Sequence, residues 1–514
     1  MEERMSRVKN VTRNLIWGIF EKTFFIISPF ITRTLIIYQL GDLYAGLGGL
    51  FTSILQMLNL AEMGVGSAII YSMYKPIAEN DVSTVRALLN TYKKIYRIIG
   101  AVVLGIGCCI LPFIELIIKG DVPSDISVRF LFVIYLLATF FSYEFGAYKM
   151  SILYANQRND LISNVQLVVD ILQLFFQIIA IVIFRNYYIF VIVYAVGVVL
   201  TNVGAAIISK KKYPQYYCDG KIEQAIAREI KVNVKGMMLQ KIGAVVLDSV
   251  DTIVISAFLG LTVLANYQNY YYIITAIFSV MMIIMKSLIA SIGNSVVKET
   301  VEKNYTDFKV LNYMYISVVI IFSCCLLNLY QPFIKAWVGE QRMLSDVLVV
   351  IFVLYFFFHK WCDMLYVYQE ATGIWWETRY VPLFAAVVNV SLNLFLVNYI
   401  GLAGVLLSTI IAVVFIYDIG YAYELFVQYF KSKKYLREYI VRQIQYLFFA
   451  MISLGTTFFL SSFIGCDTVF KIIIVILVSV IIPVSYIWVF TKNTTEFKKA
   501  FALLKGILYK SIEK

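Results

Sequence analysis

The sequence predicts an all-α integral membrane protein of about fourteen transmembrane helices, and three observations lead there. Of its 514 residues, 61% are apolar and 15% charged, whereas about a quarter of a soluble domain is charged. Apolar stretches long enough for about 30 Å of hydrocarbon recur from Asn14 to Phe490, separated by short polar joints. Basic residues gather at alternate joints, as the preference for positive charge on the cytoplasmic side requires. The stretches are continuously apolar, unlike barrel strands, which alternate over about ten residues. The longest polar joint, Ser209 to Lys235, is too short for a core of its own.

Helix 1 is expected over 14–39, after a charged N-terminal stretch that lacks a small-residue cleavage site and is expected to be retained. Helices 2, 3 and 4 follow at 44–74, 86–118 and 126–154, and the glycines of Gly46-Leu47-Gly48-Gly49 and Gly64-Val65-Gly66 suit close packing on helix 2. Helices 5 and 6 take 161–184 and 187–209, and helix 7 takes 235–259. Helices 8 to 11 are placed at 264–295, 308–337, 345–371 and 380–398, and helices 12 to 14 at 402–427, 439–464 and 468–490. Beyond them, Asn493-Thr494-Thr495-Glu496 reads as a helix start, and Phe497, Phe501, Leu504 and Leu508 form an apolar stripe opposite lysines.

The formal net charge is +12, and about 32 of the 44 Lys and Arg fall at cytoplasmic ends and loops of this topology. Both termini are therefore placed in the cytoplasm, with Lys210-Lys211-Lys212 and Lys433-Lys434 against anionic headgroups. That placement assigns the basic excess to membrane lipids and excludes nucleic acid as a partner. The seven cysteines are odd in number and mostly within helices, including Cys108-Cys109 and Cys324-Cys325, so they read as small packing residues rather than a disulfide framework.

Two landmarks recur at one spacing. Helix 1 ends in Leu40-Gly41 and helix 7 in Leu259-Gly260, 219 residues apart, while Pro112-Phe113-Ile114 and Pro332-Phe333-Ile334 lie 220 apart at the ends of helices 3 and 9. A duplicated six-helix unit explains both, and an even number of spans makes the copies parallel, related by an axis along the membrane normal. The expected organisation is an N-lobe at 1–209, a cytoplasmic linker at 210–234, a C-lobe at 235–430, extra helices 13 and 14 at 431–491 and an amphipathic tail at 492–514. Two such lobes suit alternating access to a midplane site.

Charges within spans mark that site, since one at mid-bilayer costs about 2.5–3.5 kcal/mol even on insertion scales. Helix 1 holds Glu21, Lys22 and Arg33, helix 2 Glu62, helix 7 Lys241, Asp248 and Asp251, and helix 8 Lys286. The helix 7 residues fall on one stripe, either a cavity wall or an ion-paired face. On helix 10, His359 and Asp363 are four apart, the spacing of a proton relay, although a lone histidine is more often a packed hydrogen-bond donor. No catalytic constellation appears: one histidine builds no His-rich metal site and no glycine loop follows a strand, so neither an enzyme, a metal nor a cofactor is expected. A membrane polymerase or ligase is the non-transporter alternative, disfavoured by the short outer joints.

The chain resembles bacterial oligosaccharide flippases of the multidrug/oligosaccharidyl-lipid/polysaccharide (MOP) exporter superfamily. The residues that carry the likeness are Arg33-Thr34, Leu40-Gly41, Tyr44-Ala45-Gly46-Leu47, Leu60-Ala61-Glu62-Met63-Gly64-Val65-Gly66-Ser67-Ala68 and Tyr74-Lys75-Pro76. It continues in Ala290-Ser291-Ile292-Gly293-Asn294, Tyr368-Gln369-Glu370-Ala371-Thr372-Gly373 and Arg379-Tyr380-Val381-Pro382-Leu383. The resemblance implies a two-lobed fold in the bacterial plasma membrane with a cationic cavity lined by helices 1, 2, 7 and 8. It implies a polyprenyl-diphosphate-linked oligosaccharide as substrate, an apolar groove on helices 13 and 14 for its tail, and polysaccharide polymerase and chain-length machinery as partners. In that frame Arg33, Lys241 and Lys286 are the expected phosphate-binding cations. Glu62, Asp248, Asp251, His359 and Asp363 are candidates for coupling to H⁺ or Na⁺. Drug or small-cation efflux is the alternative within the superfamily.

Overall fold

The structure, a computed structural model, describes residues 2–62, 64–465 and 468–512. Met63 and the side chains of Glu21, Leu504 and Leu508 lie outside what it describes. It divides into two compact units, Met1–Gln268 and Asn269–Lys514.

In the first unit, helix 1 (Glu2–Gln39) closes at Gly41 with φ 113°, and helix 2 begins at once as Asp42–Leu58. Helix 2 then breaks. A 3₁₀ turn over Asn59–Glu62 leads to Gly64, whose φ of 100° only glycine adopts without strain, and the helix resumes over Val65–Ala78. Helix 3 (Val82–Ile110) starts from an Asp81 cap that accepts from the Thr84 amide and tightens to 3₁₀ at Pro112. Helix 4 bends between Val128–Glu144 and Ala147–Ala155, by 43°. Helices 5 (Asn159–Val182), 6 (Tyr187–Lys212) and 7 (Gln224–Leu259) complete the unit. Helix 7 packs on helix 2, so the boundary falls after it, within helix 8 (Leu261–Lys298).

The glycines of helix 2 explain this packing. A Cβ on Gly46 would run into the Leu261 carbonyl, one on Gly48 into the Tyr187 hydroxyl and one on Gly49 into the Gln268 amide. Leu47, Leu50 and Phe51 are fully buried between those contacts, and Phe51 meets Phe132 and Tyr135 edge-on at 5.4 and 5.6 Å.

The second unit is built on helix 9 (Val301–Val338). Helix 10 is split at Cys362 into Asp346–Trp361 and Asp363–Thr372. Helices 11 and 12 form one run over Val381–Ala412 that turns at Ile400 and Gly401, then passes through π-helical segments at Val413–Asp418 and Leu425–Tyr429. Helices 13 (Lys433–Ile464) and 14 (Val469–Thr491) pack on helix 9, where Tyr313 meets Thr491 at 2.8 Å and Asn328 donates to Ser479 at 3.0 Å. A tail helix (Thr495–Ile512) is tied back by Glu496 to Arg442 at 3.1 Å.

Among the described residues, ten helices are long and apolar enough to cross a membrane, eleven if bent helix 4 counts as one span. Helix 1 and broken helix 2 are outside that count, and helices 11 and 12 enter it as a single 55-residue run, Trp375–Tyr429. The 219-residue spacing also relates backbone conformations: Gly41 and Gly260 both pair a positive φ (113° and 91°) with ψ 173°, and Gly120 and Gly339, again 219 apart, have φ 81° and 93°.

Candidate functional site

The break in helix 2 carries Glu62 into the interior of the first unit. There Tyr92 donates to the Tyr96 hydroxyl at 2.8 Å, and Tyr96 donates to the Glu62 carboxylate. Tyr143 packs edge-on to Tyr96, ring centres 5.4 Å apart, and donates to Asn59 at 2.9 Å. Gly66 makes room for this chain, because a Cβ there would lie 2.6 Å from the Tyr92 hydroxyl. Glu62, Gly66, Tyr92, Tyr96 and Tyr143 border a cavity of about 730 Å³, whose lining also includes Ser142, Tyr154, Asn159 and Asn202. Glu62 is the single acidic residue among its lining residues.

Arg33 is buried, 5% exposed, and donates to the Ala265 carbonyl at 2.7 Å and to Gln268 Oε1 at 3.3 Å. Gly49 makes the space that Gln268 occupies, so helix 1, helix 2 and the start of helix 8 meet on this guanidinium. On helix 7, Lys241 and Asp248 are exposed while Asp251 is 2% exposed, in a polar row with buried Ser249, Thr252 and Ser256. Ser256 leaves that row by donating to the Ile117 carbonyl at 2.9 Å.

In the second unit Lys286 is exposed. His359 and Asp363 are not brought together, because the helix breaks at Cys362 between them and, among the described residues, no hydrogen bond joins them. Asp363 accepts from Tyr315 and from Lys360, the latter at 2.9 Å, while His359 stacks on Tyr355 and Phe278. The spacing of four holds in sequence but not in helical geometry.

Three features had no weight in the sequence reading. The tyrosines around Glu62 are the first, signalled only by the spacing of four between Tyr92 and Tyr96. The second is a buried amide ladder, in which Asn393 donates to Asn389 at 3.2 Å and Asn389 to Thr409 at 2.8 Å. The third is Asp418, 7% exposed at the end of a π-helical segment, a distortion frequent at functional sites.

A sequence profile of the family described as "Polysaccharide biosynthesis protein" matches residues 8–290, more than half of the chain. The chain belongs to this family. Its long apolar helices make it a multi-pass membrane protein. No curated protein matches it in sequence. The fold is similar to "Lipid II flippase MurJ, inward closed conformation", with 17% identity, a TM-score of 0.64 and coverage of 93% of this chain and 99% of that one. It is also similar to an inward-facing multidrug resistance MATE family transporter of the MOP superfamily, with 14% identity, a TM-score of 0.60 and coverage of 81% and 96%. A MOP superfamily transporter from Pyrococcus furiosus, described by the reverse polarity of its binding pocket, shows 13% identity, a TM-score of 0.52 and coverage of 83% and 97%.

Proposed function

We propose that the chain is a flippase that moves polyprenyl-diphosphate-linked oligosaccharide repeat units from the inner to the outer leaflet of a bacterial plasma membrane, for capsule, O-antigen or cell-wall polysaccharide. Family membership supports the polysaccharide role. The observation that favours a lipid-linked substrate over a drug is the reach of the structural likeness. It covers 93% of the chain for the lipid flippase and 81% for the multidrug transporter. Counting helix 1, broken helix 2 and the two arms either side of Gly401 brings the spans to fourteen, with both termini in the cytoplasm and the lobes divided as the repeat divides them. Arg33, Lys241 and Lys286 are the cations assigned to the diphosphate and acidic sugars. Glu62, Asp248 and Asp251 are the carboxylates assigned to coupling with H⁺ or Na⁺ during alternating access, and the polymerase and chain-length machinery consume the product.

The test is made in cells lacking the protein. Polyprenyl-diphosphate-linked repeat units should accumulate on the inner leaflet, with unchanged sensitivity to cationic drugs. Drug hypersensitivity without accumulation of the lipid-linked sugar would replace this reading with efflux.

A further inference from the structure

The tail helix forms one wall of a second cavity, of about 540 Å³, which the proposed transport leaves unused. The other walls are the end of helix 8, the first turns of helix 9 and Tyr368 of helix 10, all within the second unit. The tail packs on helix 9 and is tied to helix 13 by buried Glu496, while Ala500, one turn on, is 4% exposed. These contacts leave Lys499, Ala502 and Leu503 on the cavity wall. The lining is divided by chemistry. Ile292, Val310, Leu311 and Leu503 are apolar, whereas the charged residues are Lys303, Asp307 and Lys499. Lys303 Nζ is 2.6 Å from both Asp307 oxygens, so those two charges cancel. Lys499 is exposed and, among the described residues, no carboxylate pairs with it. Two hydroxyls are engaged inside the protein, Ser295 donating to Asn304 Oδ1 at 2.8 Å and Tyr368 to the Asn304 carbonyl at 3.2 Å. The cavity thus offers one uncompensated ammonium, with the exposed Ser291 hydroxyl, at the edge of an apolar wall.

We propose that this cavity holds one anionic phospholipid, with its phosphate at Lys499 and Ser291 and the start of its acyl chains along Leu503 and Leu311. The inference rests on the proposed topology, which places the tail and the start of helix 9 at the cytoplasmic leaflet, where anionic lipids attract basic segments. The tail helix favours a lipid over a soluble anion. Phe501 is 59% exposed and stacks on Phe497 with ring centres 6.0 Å apart, and Leu503 is 52% exposed, so apolar surface continues outward from the cavity wall. Just before the helix, Lys492 lies over the Trp488 ring at 5.0 Å, an aromatic and ammonium pair of the kind that sits at a headgroup layer. A free phosphate would gain nothing from these apolar surfaces, whereas an acyl chain gains by every methylene it buries. A single uncompensated ammonium also matches the one phosphate of a phospholipid, and the diphosphate of a flipped substrate would keep charge unmatched there. A lipid in this place touches helix 8, helix 9 and the tail together, and it fastens the tail to the second unit.

The full chain in detergent micelles, titrated with phosphatidylglycerol or with zwitterionic phosphatidylcholine and followed by native mass spectrometry, decides this. Phosphatidylglycerol should bind in preference and raise the melting temperature, since a ligand held only by the folded state stabilises it. Lys499→Met should weaken that binding about fivefold. Lys498→Met removes the same charge from an exposed neighbour outside the lining and should leave the binding as it is. Ala502→Trp keeps every charge and fills the cavity, and it should abolish the preference. The melting temperature of each variant in phosphatidylcholine shows that it is folded. Equal losses in Lys498→Met and Lys499→Met would mean diffuse attraction to a basic surface and would overturn the proposal, as would full binding by folded Ala502→Trp. Displacement of the lipid by inorganic phosphate would assign the site to a free anion and overturn it as well. Micelles have no sides, so a failure here leaves the topology and the export reading standing, and those fail by their own tests.

Discussion

At the scale of single residues, two kinds of glycine on these helices separate cleanly. Gly46 faces the Leu261 carbonyl, part of the backbone, so no side-chain rotation relieves an added methyl. Gly105 on helix 3 has nothing within 4 Å of the added atom. Gly46→Ala should therefore lower stability by about 1–3 kcal/mol, the usual cost of overpacking. Gly105→Ala should raise it by about 0.5–1 kcal/mol through helix propensity. Thermal melting of the purified variants checks the sign of each.

Arg33 and Lys286 separate in the same way. The Arg33 guanidinium is buried on the Ala265 carbonyl and Gln268, and hydrogen bonds to a charged group each contribute about 1.5–3 kcal/mol. Lys286 is exposed. Arg33→Ala should reduce both the melting temperature and export, whereas Lys286→Ala should reduce export alone. Equal stability of the two variants would mean that the contacts of Arg33 add nothing to the fold.

Elements were more legible than sites, because lipid imposes one rule on every span. A segment buried in hydrocarbon must satisfy its backbone within a helix, so long apolar runs became helices close to where expected, from Asn159–Val182 to Val469–Thr491. The turn at Gly401 was expected, between helices 11 and 12, whereas the breaks at Gly64 in helix 2 and at Cys362 in helix 10 were not, because Gly64 read as a packing glycine and Cys362 carries no breaking signature. The three residues of the helix 7 stripe differ in exposure. Seven residues drift about 20° and three more about 60° from exact overlap, which is enough to bury Asp251 while Lys241 and Asp248 stay exposed. The tyrosines at Glu62 were hidden by their own abundance, since 38 tyrosines in an apolar chain read as core.

Helices 13 and 14 illustrate what an element adds to the proposed function. Helix 14 is clamped to helix 9 through Thr491 and Ser479, while its Ile473 and Ile476 remain 49% and 40% exposed. An isoprenoid tail resting there gains about 0.8 kcal/mol per buried methylene. Replacing both isoleucines with Asp should impair export while the clamp to helix 9 keeps the helix in place. Export is read from surface polysaccharide, and membrane insertion is confirmed first, because a charge at depth can also keep a helix out of the bilayer. Normal export by a correctly inserted double variant would remove the tail groove from the model of transport.

At the scale of the whole molecule, the arrangement of charge makes the topology testable. The basic ends Lys210–Lys212 of helix 6 and Lys433 and Lys434 of helix 13 are expected on the cytoplasmic side, while Asp42, at the turn from helix 1 to helix 2, is expected outside. The proposed count of fourteen depends on helix 1 and broken helix 2 each crossing once and on the turn at Gly401 separating two crossings. If that turn is a bend within one span instead, Lys433 moves to the other side while Lys211 stays. Single cysteines at Lys211, Lys433 and Asp42, in a chain with its native cysteines replaced, distinguish these cases by labelling intact cells with an impermeant thiol reagent. The expected outcome is protection at Lys211 and Lys433 and reaction at Asp42. Labelling at Lys433 as well as Asp42 would give an odd number of crossings between Lys211 and Lys433, which breaks the repeat, because the second copy would then hold an odd number of spans and end outside while the first holds six and ends in the cytoplasm.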